Sequence, residues 1–355
     1  MPTAPLNGKI LVSGVTGFIA AWVADRLLHK GYSVRGTVRS KEKGAKLAET
    51  FKERGFGADK FEYVVVKDIA EKGAFDEAVK GVDAIEHVAS PYHVEADDPQ
   101  DLIAPAVNGT VGILESALKY APTVKRVVIT SSCAAVRHED TKPILFTEED
   151  WNEQSILIVE KEGRAAPNII KYRASKTLAE KAAWKFMENH KDEISWDLVA
   201  INPPFVFGPM THPVASRADL NTSTSDFLSI AISADAKGHT KEQLATQGSS
   251  WIDVRDLGEA HALALEKAEA GGQRIIVSVE AFVWQDWRDI ASCFTFIPGG
   301  CTGAGKSLVH LIQYDTSKAE RIFGLKYRTM GETARDVWED YNIKGLVGKG
   351  STAAV

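Results

Sequence analysis

The sequence predicts an α/β fold: a doubly wound parallel sheet, with a smaller portion built mainly from C-terminal segments. Three observations carry this expectation. Short apolar runs alternate with helical patterns up to about Gly208. The first strand–helix–strand unit is compact and has glycines at its first turn. Beyond Gly208 the alternation loosens, and Met210 to Ser225 is rich in Thr, Ser, Asp and Asn. The expected division is residues 1–208 for the first unit, with later segments returning to it, and 209–355 for the second.

The elements follow in order. Lys9-Ile10-Leu11-Val12-Ser13 is a short apolar run suited to a buried parallel strand. Gly14-Val15-Thr16-Gly17-Phe18-Ile19-Ala20 turns it into a helical pattern, Ala21 to Leu28, which Gly31 ends. Ser33 to Val38 reads as the second strand. This βαβ context is what a dinucleotide fingerprint requires. Its glycines let the backbone turn sharply and approach a pyrophosphate, and the helix N-terminus attracts the negative charge. Ala20 stands at the usual third glycine and is small enough for close helix–strand packing. A tight turn without a ligand is the alternative reading.

The end of the second strand selects the cofactor. Asp or Glu there would bind a ribose 2′-hydroxyl, as in NAD sites. This chain has Arg39-Ser40-Lys41-Glu42-Lys43 instead. Arg39 offers a planar donor fork suited to a 2′-phosphate, with Lys43 about one helical turn away. NADP(H) is therefore expected; solvated residues opening a surface helix are the alternative. Further strands are expected at Phe61–Val66, Val82–Val88, Arg126–Thr130, Leu198–Ile201 and Ile275–Val279. Helices are expected at Val107–Tyr120, Tyr172–Asn189, Leu257–Ala268 and Thr329–Tyr341.

A tyrosine four residues before a lysine occurs three times, at Tyr63/Lys67, Tyr172/Lys176 and Tyr314/Lys318. On a helix such a pair shares a face, and an adjacent ammonium favours the ionised phenol. Tyr63/Lys67 falls in a strand, where four residues span about 13 Å. Tyr314/Lys318 could be helical but lacks an upstream strand-end hydroxyl. Tyr172/Lys176 has one, since Ser132 follows the Arg126–Thr130 strand. Ser132, Tyr172 and Lys176 at such positions form a carbonyl-reducing set. Ser132 would bond the substrate oxygen, Tyr172 would donate the proton, and Lys176 would lower the tyrosine pKa and hold the nicotinamide ribose.

Other function classes are disfavoured. Net charge is −6, with no long basic run for nucleic acid. Three scattered cysteines suit a reducing compartment rather than a disulfide framework or zinc site. No stretch is long and apolar enough for a membrane span, and the N-terminus has no signal-like core, so a cytoplasmic protein is expected. Nine histidines are scattered without a His-Glu-x-x-His motif, so no metal is expected. Gly300-Cys301-Thr302-Gly303-Ala304-Gly305-Lys306-Ser307 matches a phosphate-loop pattern. Too little chain follows it for the sheet and magnesium-binding acid of a nucleotide hydrolase, and Pro298 interrupts the strand that would feed it.

With the glycine turn, Thr130-Ser131-Ser132, Tyr172-Arg173-Ala174-Ser175-Lys176 and Ile252-Asp253-Val254-Arg255-Asp256 in hand, the chain resembles an extended short-chain dehydrogenase/reductase. It is most similar to fungal NADPH-dependent carbonyl reductases of the methylglyoxal and aldehyde type, relatives of plant dihydroflavonol reductases. Ala89-Ser90-Pro91 and the run from Asn202 to Pro209 add to the likeness. The resemblance implies a Rossmann fold, NADPH as cofactor, and a monomer or homodimer acting on a small carbonyl substrate. It implies a catalytic set of Ser132, Tyr172 and Lys176, with Asn108 holding a proton-relay water. Gly14, Thr16, Gly17, Phe18 and Ile19 would meet the pyrophosphate region. Arg39 and Lys43 would meet the 2′-phosphate, and Asp68 and Ile69 the adenine. Ala89, Pro203, Val206 and Ser223, with Tyr172 and Lys176, would line the rest of the cofactor. Trp251 stands where a smaller aromatic is frequent and is expected to shape the substrate pocket, as is the glycine-rich loop from Gly299 to Ser307. A nucleotide-sugar epimerase or dehydratase on the same scaffold is the first rival, and a non-catalytic NADP(H)-binding sensor the second.

Overall fold

A computed structural model of the chain describes residues 3–90, 96–294, 302–303 and 310–347. Its centre is a seven-stranded parallel sheet. In chain order the strands are β1 (Lys9–Val12), β2 (Ser33–Val38), β3 (Phe61–Val65), β4 (Ala84–His87), β5 (Arg126–Thr130), β7 (Asp197–Asn202) and β10 (Arg274–Ile276). They lie side by side as β10-β7-β5-β4-β1-β2-β3. Chain order reverses between β1 and β4, and a doubly wound sheet opens its ligand crevice at that point, outside the carboxyl ends of the strands.

The inner strands are buried on both faces, so they lack a polar–apolar alternation, and the buried polar pair Glu86 and His87 on β4 is matched by His261 and Ser13. β4 and β7 are buried at every residue. On one face α1 (Phe18–His29) packs against α8 (Val254–Glu266). On the other, α3 (Gln100–Tyr120) packs against α5 (Asn168–Asn189), with α4 (Glu153–Glu162) alongside. Polar groups at the amino edge of the sheet are matched inside the fold. Arg126 forks onto Asp197 at 2.6 and 2.8 Å and donates to the carbonyls of Ala264 and Lys267. A buried guanidinium needs such saturation, because an unpaired charge in the interior is strongly unfavourable.

The later chain adds β6 (Ile144–Phe146) paired with β12 (Ile312–Tyr314), and a small sheet of β8 (Phe205–Phe207), β9 (Gly248–Asp253) and β11 (Ala281–Val283). Short helices α6 (Thr222–Asp226), α7 (Lys241–Thr246), α9 (Trp284–Ala291) and α10 (Ser317–Phe323) and the final helix α11 (Met330–Ile343) complete it. Two of these late elements, α8 and β10, sit on or in the central sheet. Among the described residues no helix is long and apolar enough to cross a membrane.

Several expectations need correction. α3 begins at Gln100 rather than Val107 and runs through Pro105. The sequence pattern stops at the proline, which cannot donate to the carbonyl four residues back, but the flanking turns are held by Leu102, Ile103 and Ala106, all buried. Trp251 is not among the residues lining the crevice at the carboxyl ends of the strands. It is fully buried and meets Trp287 edge to face at 4.8 Å, in an aromatic core with Phe207 and Phe282. Tyr314 and Lys318 share no helix, since one ends β12 and the other lies in α10. Most of the Gly300–Ser307 motif lies outside the described residues.

Candidate active site

The carboxyl edge of the sheet carries a cleft of about 400 Å³. Six neighbouring strand ends open into it, β3 through Val66 and Ile69, and the other five contribute residues for local reasons.

After β1, Gly14 takes φ +64°, a left-handed conformation that costs glycine little. A Cβ there would also lie 2.9 Å from the Ala89 Cβ. The turn is tied by Gly17 N–H to the Gly14 carbonyl (2.8 Å) and Gly14 N–H to Thr37 Oγ1 (2.9 Å). Gly17 is the N-cap of α1, and no side chain caps that helix end. The first-turn N–H groups, with the positive end of the helix dipole, therefore face the cleft, which suits an anion. Thr16, Gly17, Phe18, Ile19 and Ala20 all line it.

After β2, Arg39 and Lys43 line one end of the cleft and are exposed. Among the described residues neither forms an ion pair. The Ser40 hydroxyl caps α2 (Lys41–Glu53) by accepting from the Lys43 N–H. Lys41 and Lys43 thus stand in the first turn of a helix, where the dipole favours anions over cations. The one acid of that turn, Glu42, pairs with Lys46, so Lys41, Lys43 and Arg39 leave a concentration of positive charge for a ligand to neutralise.

After β4, Ala89 is fixed by a buried relay. Its N–H donates to Ser13 Oγ (2.9 Å), and that hydroxyl meets His87 Nδ1 at 3.0 Å. Burial, and then the nearby Lys176 charge, pull the His87 pKa down to about 3, so the ring is neutral. Nδ1 can then accept the Ser13 proton, which holds the wall behind Gly14 in place.

After β5, Ser132 caps a short 3₁₀ turn, its Oγ accepting from Ala134 N–H at 3.0 Å. The cap uses a lone pair, and the hydroxyl hydrogen can still be donated. Tyr172 and Lys176 come from α5, one turn apart. Lys176 Nζ donates to Ser90 Oγ at 3.0 Å. Burial draws the Lys176 pKa down to about 8, and the carboxylate of Glu180 opposes that shift. After β7, Pro203, Pro204 and Val206 form the far wall, with Asn221 and Ser223 above.

The cleft thus gathers Ser132, Tyr172, Lys176, Gly14, Thr16, Gly17, Phe18, Ile19, Arg39, Lys43, Ile69, Ala89, Pro203, Val206 and Ser223. Two other sequence candidates lie apart from it. Asp68 lines an adjoining surface hollow with Arg39 and Glu71, its carboxylate accepting from Ala70 N–H. Asn108 is exposed on α3. Thr37, Ser90, Ser131 and Asn221 also reach the cleft, without a sequence reading that gave them a role. Thr37 lies near the carboxyl end of β2, Ser90 and Ser131 follow β4 and β5, and for these three that position was the available signal; Asn221 is the N-cap of α6.

A glycine turn feeding an uncapped helix at the switch point of a parallel sheet defines a dinucleotide-binding protein. The chain belongs to the NAD dependent epimerase/dehydratase family, whose pattern matches residues 10–279. It is 37% identical over 343 residues to the NADPH-dependent methylglyoxal reductase GRE2 of Saccharomyces cerevisiae, covering 92% of this chain and 96% of that one. It is 42% identical over 273 residues to the ketoreductase azaE of Aspergillus niger, covering 76% and 77%. Among solved structures, yeast methylglyoxal/isovaleraldehyde reductase Gre2 complexed with NADPH superposes with a TM-score of 0.82 at 36% identity, covering 96% of this chain and 100% of that chain. The resemblance drawn from the sequence motifs and the expected Rossmann sheet are both borne out.

Proposed function

We propose that this chain is an NADPH-dependent carbonyl reductase, converting a ketone or aldehyde to the alcohol. One observation carries the reading. A single cleft joins the bare N-terminus of α1, the exposed cations Arg39 and Lys43, and the Ser132, Tyr172 and Lys176 side chains. The relatives named as methylglyoxal reductase and ketoreductase support it, as does the neighbour solved with NADPH.

The residues present suit the cofactor. The backbone at Gly14 and Gly17 is kept bare where a pyrophosphate would approach, and Arg39 offers a fork matched to a phosphate ester. Ile69 and the hollow beside Asp68 are assigned to the adenine, and Ala89, Pro203, Val206 and Ser223 to the remaining walls. Bound NADPH supplies the hydride. The Ser132 hydroxyl donates to the substrate oxygen and stabilises the charge that develops there. Tyr172 gives that oxygen its proton. The Lys176 ammonium orients the ribose and favours the tyrosinate that remains. Asn108, on the solvent side of α3, would take part only through a bridging water. Residues 1–208 are assigned chiefly to the cofactor and 209–355 chiefly to the substrate, in a cytoplasmic monomer or homodimer.

The test is NADPH oxidation against a panel of ketones, aldehydes, dicarbonyls and nucleotide sugars. NADPH consumption matched by alcohol formation is expected. Conversion of a nucleotide sugar with no net cofactor consumption would overturn the reading in favour of an epimerase. NADPH binding without turnover of any carbonyl would favour a sensor.

A further inference from the structure

α5 carries a buried carboxylate that the reaction as described does not use. Glu180 lies one helical turn beyond Lys176, so Tyr172, Lys176 and Glu180 form a stripe along one face. Glu180 is 1% exposed. Its oxygens accept from Ser131 Oγ at 2.5 Å, Arg274 Nε at 2.6 Å, Asn202 Nδ2 at 2.8 Å and Trp184 Nε1 at 3.3 Å.

Three of these donors come from other parts of the site. Ser131 follows β5 directly and adjoins Ser132. Asn202 ends β7 and also donates to the Ser132 carbonyl at 3.2 Å. Arg274 opens β10 and is itself anchored, donating to the carbonyls of Glu148 and Asp150 and stacking 3.6 Å from the Trp151 ring centre. One carboxylate therefore joins the helix bearing Tyr172 and Lys176 to the strand end bearing Ser132.

Resting on the reductase reading, we propose that Glu180 is a positioning residue for the reaction. It sets Ser132 against the Tyr172–Lys176 helix through Ser131 and Asn202, and it supplies the fixed negative charge that Lys176 faces from within the protein. The surroundings leave this role to Glu180. From β4 the titratable group facing Lys176 is His87, which is neutral. The Cys133 thiol, in the turn after β5, has its pKa driven far upward by burial. Arg274, which opens β10, is a cation already paired with Glu180. The acidic and basic side chains of α3 and α4 are exposed. Burial pulls the Lys176 pKa down and Glu180 pushes it up, so loss of the Glu180 charge lets Lys176 give up its proton at lower pH.

The test uses the full-length enzyme and three variants: Glu180→Gln, Arg274→Gln and the double variant. Glu180→Gln keeps hydrogen-bonding atoms and removes the charge. The alkaline limb of kcat/KM should move to lower pH by roughly one unit in that variant. In Arg274→Gln it should move the other way, because Glu180 loses its neutralising partner. Thermal melts report folding separately, and the double variant, which leaves no lone buried charge, serves if Glu180→Gln fails to fold. Its limb should lie below that of the wild type. Folded variants whose limb stays at the wild-type pH, with activity lowered evenly across pH, would overturn the proposal and leave a purely structural role. A wild type without carbonyl turnover would count against the reductase reading instead, and the same limb read in NADPH affinity would still test Glu180.

Discussion

The two ends of the cleft are built on opposite principles. At the Arg39 end the charged side chains are exposed and, among the described residues, form no ion pair, on a helix terminus that disfavours cations. At the Tyr172 end the polar groups are half-buried and braced from behind, by Ser90 on Lys176 and by the Glu180 cluster under Ser132. The difference matches the two tasks. Recognition of a phosphate needs donors whose bonds are not already spent within the protein. Proton transfer needs groups whose positions are fixed before substrate arrives, because a small misplacement lowers the rate steeply. Exposure at one end and saturation at the other are thus features of a single site.

Substitutions can break this contrast at either end. The largest effect is expected at the braced end. Tyr172→Phe removes the proposed proton donor and should lower kcat by about 10²–10⁴-fold while leaving the melting temperature and NADPH affinity near those of the wild type. Steady-state kinetics beside a thermal melt would check this. At the exposed end, Arg39→Ala removes a charge-assisted fork, a loss of roughly 1.5–3 kcal/mol. The KM for NADPH should rise about 10–100-fold, with the KM for NADH changing far less.

The pH profile separates the ends without mutation. Lys176 has a pKa of about 8, below its ordinary value, so it is charged below that pH and neutral above it. Activity that needs the ammonium is therefore full on the acid side of 8 and lost as pH rises through it, by about tenfold between pH 7 and pH 9. A kcat/KM profile still flat at pH 9 would detach Lys176 from the chemistry. The smallest effect belongs to Lys43→Ala. A single exposed point charge should be worth about threefold in NADPH affinity, and that difference should shrink at high salt.

Much of the fold was legible because its signals are local. β5 falls where its apolar run lies, since a strand buried on both faces needs nearly unbroken apolar sequence. The glycine turn after β1 was legible for the same reason, as it is read from neighbours in the chain. What escaped depends on distant segments meeting. Glu180, in Leu178-Ala179-Glu180-Lys181, looks like a solvated helix position, and its burial is set by Ser131, Asn202 and Arg274 converging on it. Trp251 has a sequence neighbourhood suggesting a pocket, but partners such as Trp287 and Phe282 draw it into the aromatic core. The early start of α3 was hidden by Pro105, whose cost is local while the compensating burial is tertiary.

The most direct measurement of the central claim follows the transferred atom. The enzyme would be given NADPH deuterated at the transferring carbon, together with a carbonyl compound that it turns over. The account predicts one deuterium on the carbinol carbon of the product alcohol for each cofactor oxidised, with the label all but lost from product in Tyr172→Phe under equal time and protein. Product formed without deuterium at that carbon, or formed equally well by Tyr172→Phe, would contradict it.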